Sequence, residues 1–226
     1  MGILSNKISR DEVRPGDHIY SWRTTYTYAH HGIYVDDGQV IEFTHTPTAW
    51  TSLSKSSSST KLPCRICRGR SKSGGVTSSC LDCFLGGGNL YRYEYNVSGA
   101  ALLFKVRGGT CTLAASDPPE DVLYRANFLL RENGFGVYHV LENNCETFAI
   151  YCKTGLVSCK KNWLGSSGQA TAFAAAVAVI ALPGPGFCAY NVARLINDVG
   201  MPWRRKSGND VIKVPVEELV ATRKPA

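Results

Sequence analysis

Residues 13–45 carry a strand pattern. VRPGDHIYSWR and HHGIYVDDGQVIEFT hold runs rich in Ile, Tyr and Val, and the second is broken by Asp36-Asp37-Gly38. An Asp-Gly pair supplies the positive-φ positions of a tight turn, so a β-hairpin is expected here. From 46 to 88 the pattern is lost: a serine run at 56–59 and many glycines leave few apolar positions, and the stretch reads as an insertion. NLYRYEYNV and ALLFKV then read as further strands. In SDPPEDVLYRANFLLRENGFG the period changes, and Val122, Leu123, Ala126, Leu129 and Leu130 form one apolar helical face. Asp117 with Glu120 makes a capping-box pattern, Pro118 suits the first turn, and Gly134 can end the helix. A short strand over 137–141 leads into NCETFAIYC, a second helix in which Cys145, Phe148, Ala149 and Cys152 share a face and Gly155 fits just past the end. Cys145 lies in its first turn. Residues 170–182, ATAFAAAVAVIAL, are thirteen successive residues without charge. As a helix they reach roughly 20 Å, short of the ~30 Å hydrocarbon core, which leaves a buried helix and a membrane-embedded hairpin both open. The tail, DVIKVPVEELVATRKPA, opens like a strand and frays.

With 226 residues, 44% hydrophobic and 19% charged, the chain is long and apolar enough to bury its own core, and a disordered chain is excluded. The formal net charge of +7 favours anionic partners, either a lipid headgroup surface or nucleic acid, and charge alone does not choose. MGILSNKISRDE lacks the apolar core of a secretory signal, so a reducing, cytoplasmic setting is expected. Gly2 raises N-myristoylation, but Asn6 stands where that pattern wants Ser or Thr.

Nine cysteines in a reducing compartment are metal ligands, nucleophiles or core residues. Cys64-x2-Cys67 and Cys80-x2-Cys83, twelve residues apart, have the ligand count of a tetrahedral four-cysteine zinc site. Four closed ligands make such a Zn2+ structural, replacing a hydrophobic core for a small insert; two disulfides or unligated thiols are the alternatives. Arg65, Arg68, Arg70 and Lys72 between the knuckles form a basic patch usable against lipid phosphates.

A cysteine nucleophile needs thiolate, which a helix N-terminus favours, especially beside a histidine. Cys145 is placed for that. His30 and His31 lie on a strand whose side chains alternate, so only one of them faces a given side. His30-His31-Gly32-Ile33-Tyr34-Val35, then Val40-Ile41-Glu42-Phe43, and far downstream Asn144-Cys145-Glu146-x-Phe148 resemble the H-box and NCE-box of the lecithin:retinol acyltransferase-like (LRAT-like) family, a permuted branch of the papain-like NlpC superfamily. Arg14-Pro15-Gly16-Asp17 looks like that family's start. The resemblance covers 13–155 apart from the insertion, and the CxxC insertion with the apolar C-terminal region looks like the plant subgroup.

Carried over, the resemblance puts the nucleophile on Cys145 and the general base on His30, with His31 as its outward neighbour. The third polar residue, often a histidine in the family, falls on Glu42. A carboxylate can still hold the imidazole in one tautomer; His45 is the nearest substitute. Asp36 stands where the family usually has Gly, with Gly38 keeping the turn feasible. The implied fold is α+β, an antiparallel sheet packed on the cysteine-bearing helix, with a zinc-knuckle insertion and an apolar C-terminal helical extension. The expected organisation is a lead at 1–12, the LRAT-like domain at 13–160 with the CxxC insertion at 46–88, and the extension at 161–226. The implied activity is thiol-dependent acyl transfer or phospholipase action on glycerophospholipid esters through a Cys-acyl thioester. Water, an amine or another lipid accepts the acyl group, and the Cys145 backbone N–H is the candidate oxyanion donor. The expected partner is a phospholipid membrane surface rather than nucleic acid, with the protein cytoplasmic and membrane-associated. Lys160 and Lys161 before the apolar run, and Arg204, Arg205 and Lys206 after it, suit anionic headgroups. A cysteine amidase or peptidase and a non-catalytic lipid-binding or adaptor protein are the rival readings, the latter motivated by Glu42.

Overall fold

The hairpin forms where the turn residues predict it. In the computed structural model, which describes residues 6–23, 28–45, 64, 74–104, 110–140, 142–158 and 211–223, strands β2 (Tyr28–Tyr34) and β3 (Gln39–Thr44) flank Asp37 and Gly38, whose φ angles are 46° and 74°. Both lie in the left-handed region that an Asp-Gly turn supplies cheaply. Strand β1 (His18–Arg23) pairs antiparallel with β2, with Tyr20 opposite His31 and Ser21 opposite His30.

Two further strands complete a five-stranded sheet in the order β4-β3-β2-β1-β5, where β4 is Gly75–Cys80 and β5 is Tyr91–Arg92. Strand β4 and the short helix α1 (Leu81–Leu85) fall inside the stretch read as an insertion, yet they belong to the sheet. GVTSSC looks polar because it is an edge strand: it pairs with β3 from Gln39↔Cys80 to Thr44↔Gly75 while burying only Val76, Ser79 and Cys80. Of ALLFKV, expected to form a strand, residues 101–104 instead lie in helix α2 (Gly99–Phe104), where Ser98 Oγ accepts the Ala101 N–H at 3.1 Å and Ala-Leu composition favours the helix.

Helix α3 spans Pro119–Glu132 and buries Val122, Ala126 and Leu129 as its apolar stripe requires. Its ends differ from expectation. Asp117 does not cap it, because that carboxylate is drawn into ion pairs with Arg125 and Lys213, and the left-handed residue that closes it is Asn133 rather than Gly134. Helix α4 (Cys145–Thr154) ends at Gly155 with φ 67°. Residues 137–140 form no strand; a single bridge joins His139 to Asn143, and Val137 and Val140 are exposed. The tail adds β7 (Val211–Lys213), paired with β6 (Leu156–Ser158), and helix α5 (Val216–Arg223) in place of a frayed end. Ile33, Ile41, Phe43 and Val76 from the sheet meet Val122, Ala126 and Leu129 of α3, Phe148, Ala149 and Cys152 of α4, and Leu219 and Val220 of α5 in one core. The fold is α+β, an antiparallel sheet with helices on its faces. The apolar run at 170–182, Cys159, Cys188 and the Gly2 motif lie outside the described residues.

His31 is not the outward neighbour it was expected to be. It is fully buried, its Nδ1 lies 2.9 Å from His18 Nε2, and His18 Nδ1 lies 2.8 Å from the Tyr95 hydroxyl. Tyr20 stacks on His31 and Tyr93 on His18. Burial, with the neighbouring His30, pushes the His31 pKa down to about 3, and burial, with His31, pushes His18 well below its usual value. Unfolded, each imidazole takes up a proton near pH 6.5. Below that pH the unfolded chain binds the extra protons, so this contribution to stability is complete above about 6.5 and is lost as pH falls toward 3. Melting curves between pH 7.5 and 4.5 are expected to show stability falling by up to about 1.4 kcal/mol per pH unit for each histidine, with His31→Phe flattening the slope. An unchanged slope in that variant would remove His31 from this account.

Candidate active site

The sequence around Cys145 builds a helix start. Asn144 Oδ1 accepts the N–H groups of Glu146 and Thr147 at 3.0 and 3.1 Å, and Thr147 Oγ1 accepts the Asn144 N–H at 2.8 Å. This reciprocal box fixes the first turn, so the position of the next side chain, Cys145, is set by backbone geometry. Its sulfur is buried, 1% exposed overall, and sits 3.9 Å from the Ala29 carbonyl of β2.

The β2–β3 ladder is registered only from Gly32↔Glu42 to Tyr34↔Val40, and β2 continues past it toward Tyr28. His30 lies just beyond the last pair. Alternation puts His30, Gly32 and Glu42 on one face of the sheet and His31, Ile33 and Ile41 on the other. His30 lies beside the Cys145 side chain and, through Nε2, hydrogen-bonds Glu42 Oε2. Glu42 is fully buried and the His30 side chain is 13% exposed. The structure therefore brings Cys145, His30 and Glu42 together. His45 is exposed, and its ring lies 6.0 Å from that of Tyr138.

Burial alone would drive the His30 ring neutral. The hydrogen bonds and charges of Cys145 and Glu42 outweigh it and hold the pKa up at about 9. The opposite case is Cys152, seven residues along the same helix: burial pushes its thiol up and outweighs the opposing charge of Arg125. Cys152 packs in the core with Phe148 and Ala149.

Tyr138 is the site residue that sequence reading missed. Its hydroxyl lies beside the Cys145 side chain and backbone amide. Burial first, and then the adjacent Cys145 charge, raise its pKa, so it stays a protonated donor. The residue falls in the segment read as a strand, and only its place shortly before Asn144-Cys145 hinted that it returns to the thiol.

The described residues hold a second cluster of thiols. The sulfurs of Cys64, Cys80 and Cys83 all lie within 4.8 Å of one another, with Cys64 Sγ and Cys80 Sγ 3.6 Å apart. Ligands at ~2.3 Å from a tetrahedral ion need sulfurs at about this spacing, so the three thiols can hold a metal ion. Cys67 and Arg65, Arg68, Arg70 and Lys72 lie outside the described residues.

A helix-start cysteine joined to a strand histidine on an antiparallel sheet defines a thiol–imidazole protein of the lecithin retinol acyltransferase class. The model of that family, described as lecithin retinol acyltransferase, matches residues 11–158, and the chain belongs to it. The family is of the acyltransferase and phospholipase type. Within it the chain is similar to Protein LEAD-SENSITIVE 1 of Arabidopsis thaliana, at 46% identity over 241 aligned residues that cover 97% of this chain and 90% of that protein.

Proposed function

We propose that the protein is a thiol-dependent acyltransferase or phospholipase that takes an acyl group from a glycerophospholipid ester onto Cys145. The observation that carries this reading is His30 held between Cys145 and the buried carboxylate of Glu42. The Cys145 thiolate attacks the ester carbonyl, and the electron pair moves onto oxygen. Collapse of that intermediate breaks the ester C–O bond, and the leaving lysophospholipid oxygen takes the proton from the His30 imidazolium. The Cys145 thioester remains. His30, now neutral, removes a proton from water or another acceptor as that attacks the thioester, and Cys145 departs as thiolate.

The oxyanion needs donors aimed at it, usually the largest single catalytic contribution. The Cys145 backbone N–H and the Tyr138 hydroxyl are both at the sulfur, which suits them to that task. Tyr138→Phe is expected to lower kcat by on the order of 10²-fold with KM little changed, measured on vesicle substrate. A loss confined to KM would assign Tyr138 to binding instead.

A membrane surface as the working site is supported by the net charge of +7 and by exposed apolar residues near the thiol: Tyr28 beside Ala29, and Val137 and Val140 in the Tyr138 turn. Among the described residues no helix is long and apolar enough to cross a membrane. For the thiol cluster we favour a structural zinc ion held by Cys64, Cys80 and Cys83.

The test is turnover by the full-length protein on phosphatidylcholine vesicles containing an anionic lipid, with fatty acid, lysophospholipid and acylated amine measured. Product from wild type and none from Cys145→Ala is the expected result. Vesicle binding without product would replace this reading with a lipid-binding adaptor, and cleavage of amide substrates alone would replace it with a cysteine amidase.

A further inference from the structure

The thiol cluster is built into the wall behind His30. Cys80 ends β4 and caps α1, its sulfur accepting the Cys83 N–H at 3.5 Å, and Cys83 lies within that helix. A helix of five residues has no stability of its own, because nucleation costs more than so few hydrogen bonds return. It is held from outside at two ends. At the far end the Arg23 guanidinium donates to the Phe84 and Leu85 carbonyls; at the near end stand the cysteines.

Between these anchors Leu81, Phe84 and Leu85 pack with Val13, Ile19, Val40 and Leu90. Phe84 is fully buried and its ring centroid lies 5.2 Å from that of His30. A Cβ on Gly32, two residues after His30, would lie 2.9 Å from Phe84 Cε2 and 2.7 Å from Val40 Cγ1, so the glycine permits the helix to sit directly on β2. The His30 ring is thus bounded by Cys145, Glu42 and the Phe84 ring.

We propose that a divalent metal ion on Cys64, Cys80 and Cys83 positions His30: by fixing α1 it holds Phe84 against the imidazole and the imidazole against Cys145. The metal ion does no chemistry on substrate, and Phe84 is a positioning residue. The inference rests on reading the three thiols as zinc ligands and the Cys145–His30 pair as reactive.

The experiment strips full-length wild-type protein with a soft chelator and then restores Zn2+. It follows bound zinc by elemental analysis, the rate of Cys145 alkylation by iodoacetamide at the peptide level, and kcat and KM on vesicles. Wild type is expected to hold about one zinc per chain. Stripping lowers the Cys145 alkylation rate and kcat together by about tenfold, leaves KM unchanged, and is reversed by zinc. Phe84→Ala keeps its zinc, shows the same loss and no longer responds to stripping, while Phe84→Leu recovers part of it. Unchanged alkylation and turnover in stripped protein overturns the coupling, and wild type without bound zinc, before and after Zn2+ is added, overturns the site. If lipid is not turned over at all, the acyl-transfer reading falls and the alkylation arm still decides the coupling.

Discussion

Cys145→Ala is expected to lower lipid turnover by on the order of 10⁵-fold or more, to the level of residual binding and oxyanion stabilisation. His30→Gln is expected to lose nearly as much, and the double variant no more than the worse single one, because thiolate and imidazolium act as a unit. The fold should survive both changes. Cys145 sits at the first turn of a helix whose cap is made by Asn144 and Thr147, and His30 lies beyond the last registered pair of the β2–β3 ladder. The measurement is kcat on vesicles beside a melting curve; losses that multiply in the double variant would mean two independent roles.

Glu42→Gln tests the carboxylate that backs the His30 ring. The carboxylate is fully buried against His30 Nε2 and, with Cys145, keeps the ring protonated to about pH 9. A group with a raised folded pKa is charged below that value and loses its proton as pH climbs through it. Wild-type activity is therefore expected to fall on the alkaline side near pH 9, where His30 can no longer protonate the leaving oxygen. In the glutamine variant that limb moves down toward 6.5 and kcat at pH 7.5 drops by on the order of 10³-fold, since an amide neither compensates the imidazolium nor fixes its tautomer. An alkaline limb unmoved by the substitution would mean that Cys145 alone sets the ring's charge, leaving Glu42 a structural residue.

The parts of the fold that were legible in the sequence are those whose local signals are self-sufficient. Asp37-Gly38 specifies its own turn, the Val122-Ala126-Leu129 stripe specifies a helix face, and Gly155 marks the end of α4. Where a tertiary partner decides, local reading failed. Gly75–Cys80 is a strand because β3 offers it a ladder, and nothing in GVTSSC announces that. Asp117 looks like a cap until Arg125 and Lys213, the latter far along the chain, take its carboxylate.

The same distinction runs through the site. Motif register picks out Cys145, His30 and Glu42, and the three side chains lie next to one another. Tyr138 was invisible because its hydroxyl returns to the helix start through a turn with no repeating pattern. His31 was expected to face outward because alternation says only that it opposes His30. The aromatic layer of Tyr20, Tyr93 and Tyr95 that buries it comes from β1 and from the segment after β5.

In the proposed mechanism an acyl group passes through the Cys145 sulfur. Full-length protein incubated briefly with phosphatidylcholine of one defined acyl chain, quenched in acid and digested, is to be read by mass spectrometry. The peptide containing Asn144-Cys145-Glu146 is predicted to gain the mass of that acyl group, to lose it on treatment with hydroxylamine, and to remain unmodified in His30→Gln. Lipid turnover with no acyl group on Cys145, or with the acyl group on Cys111 or Cys152 instead, would contradict the account.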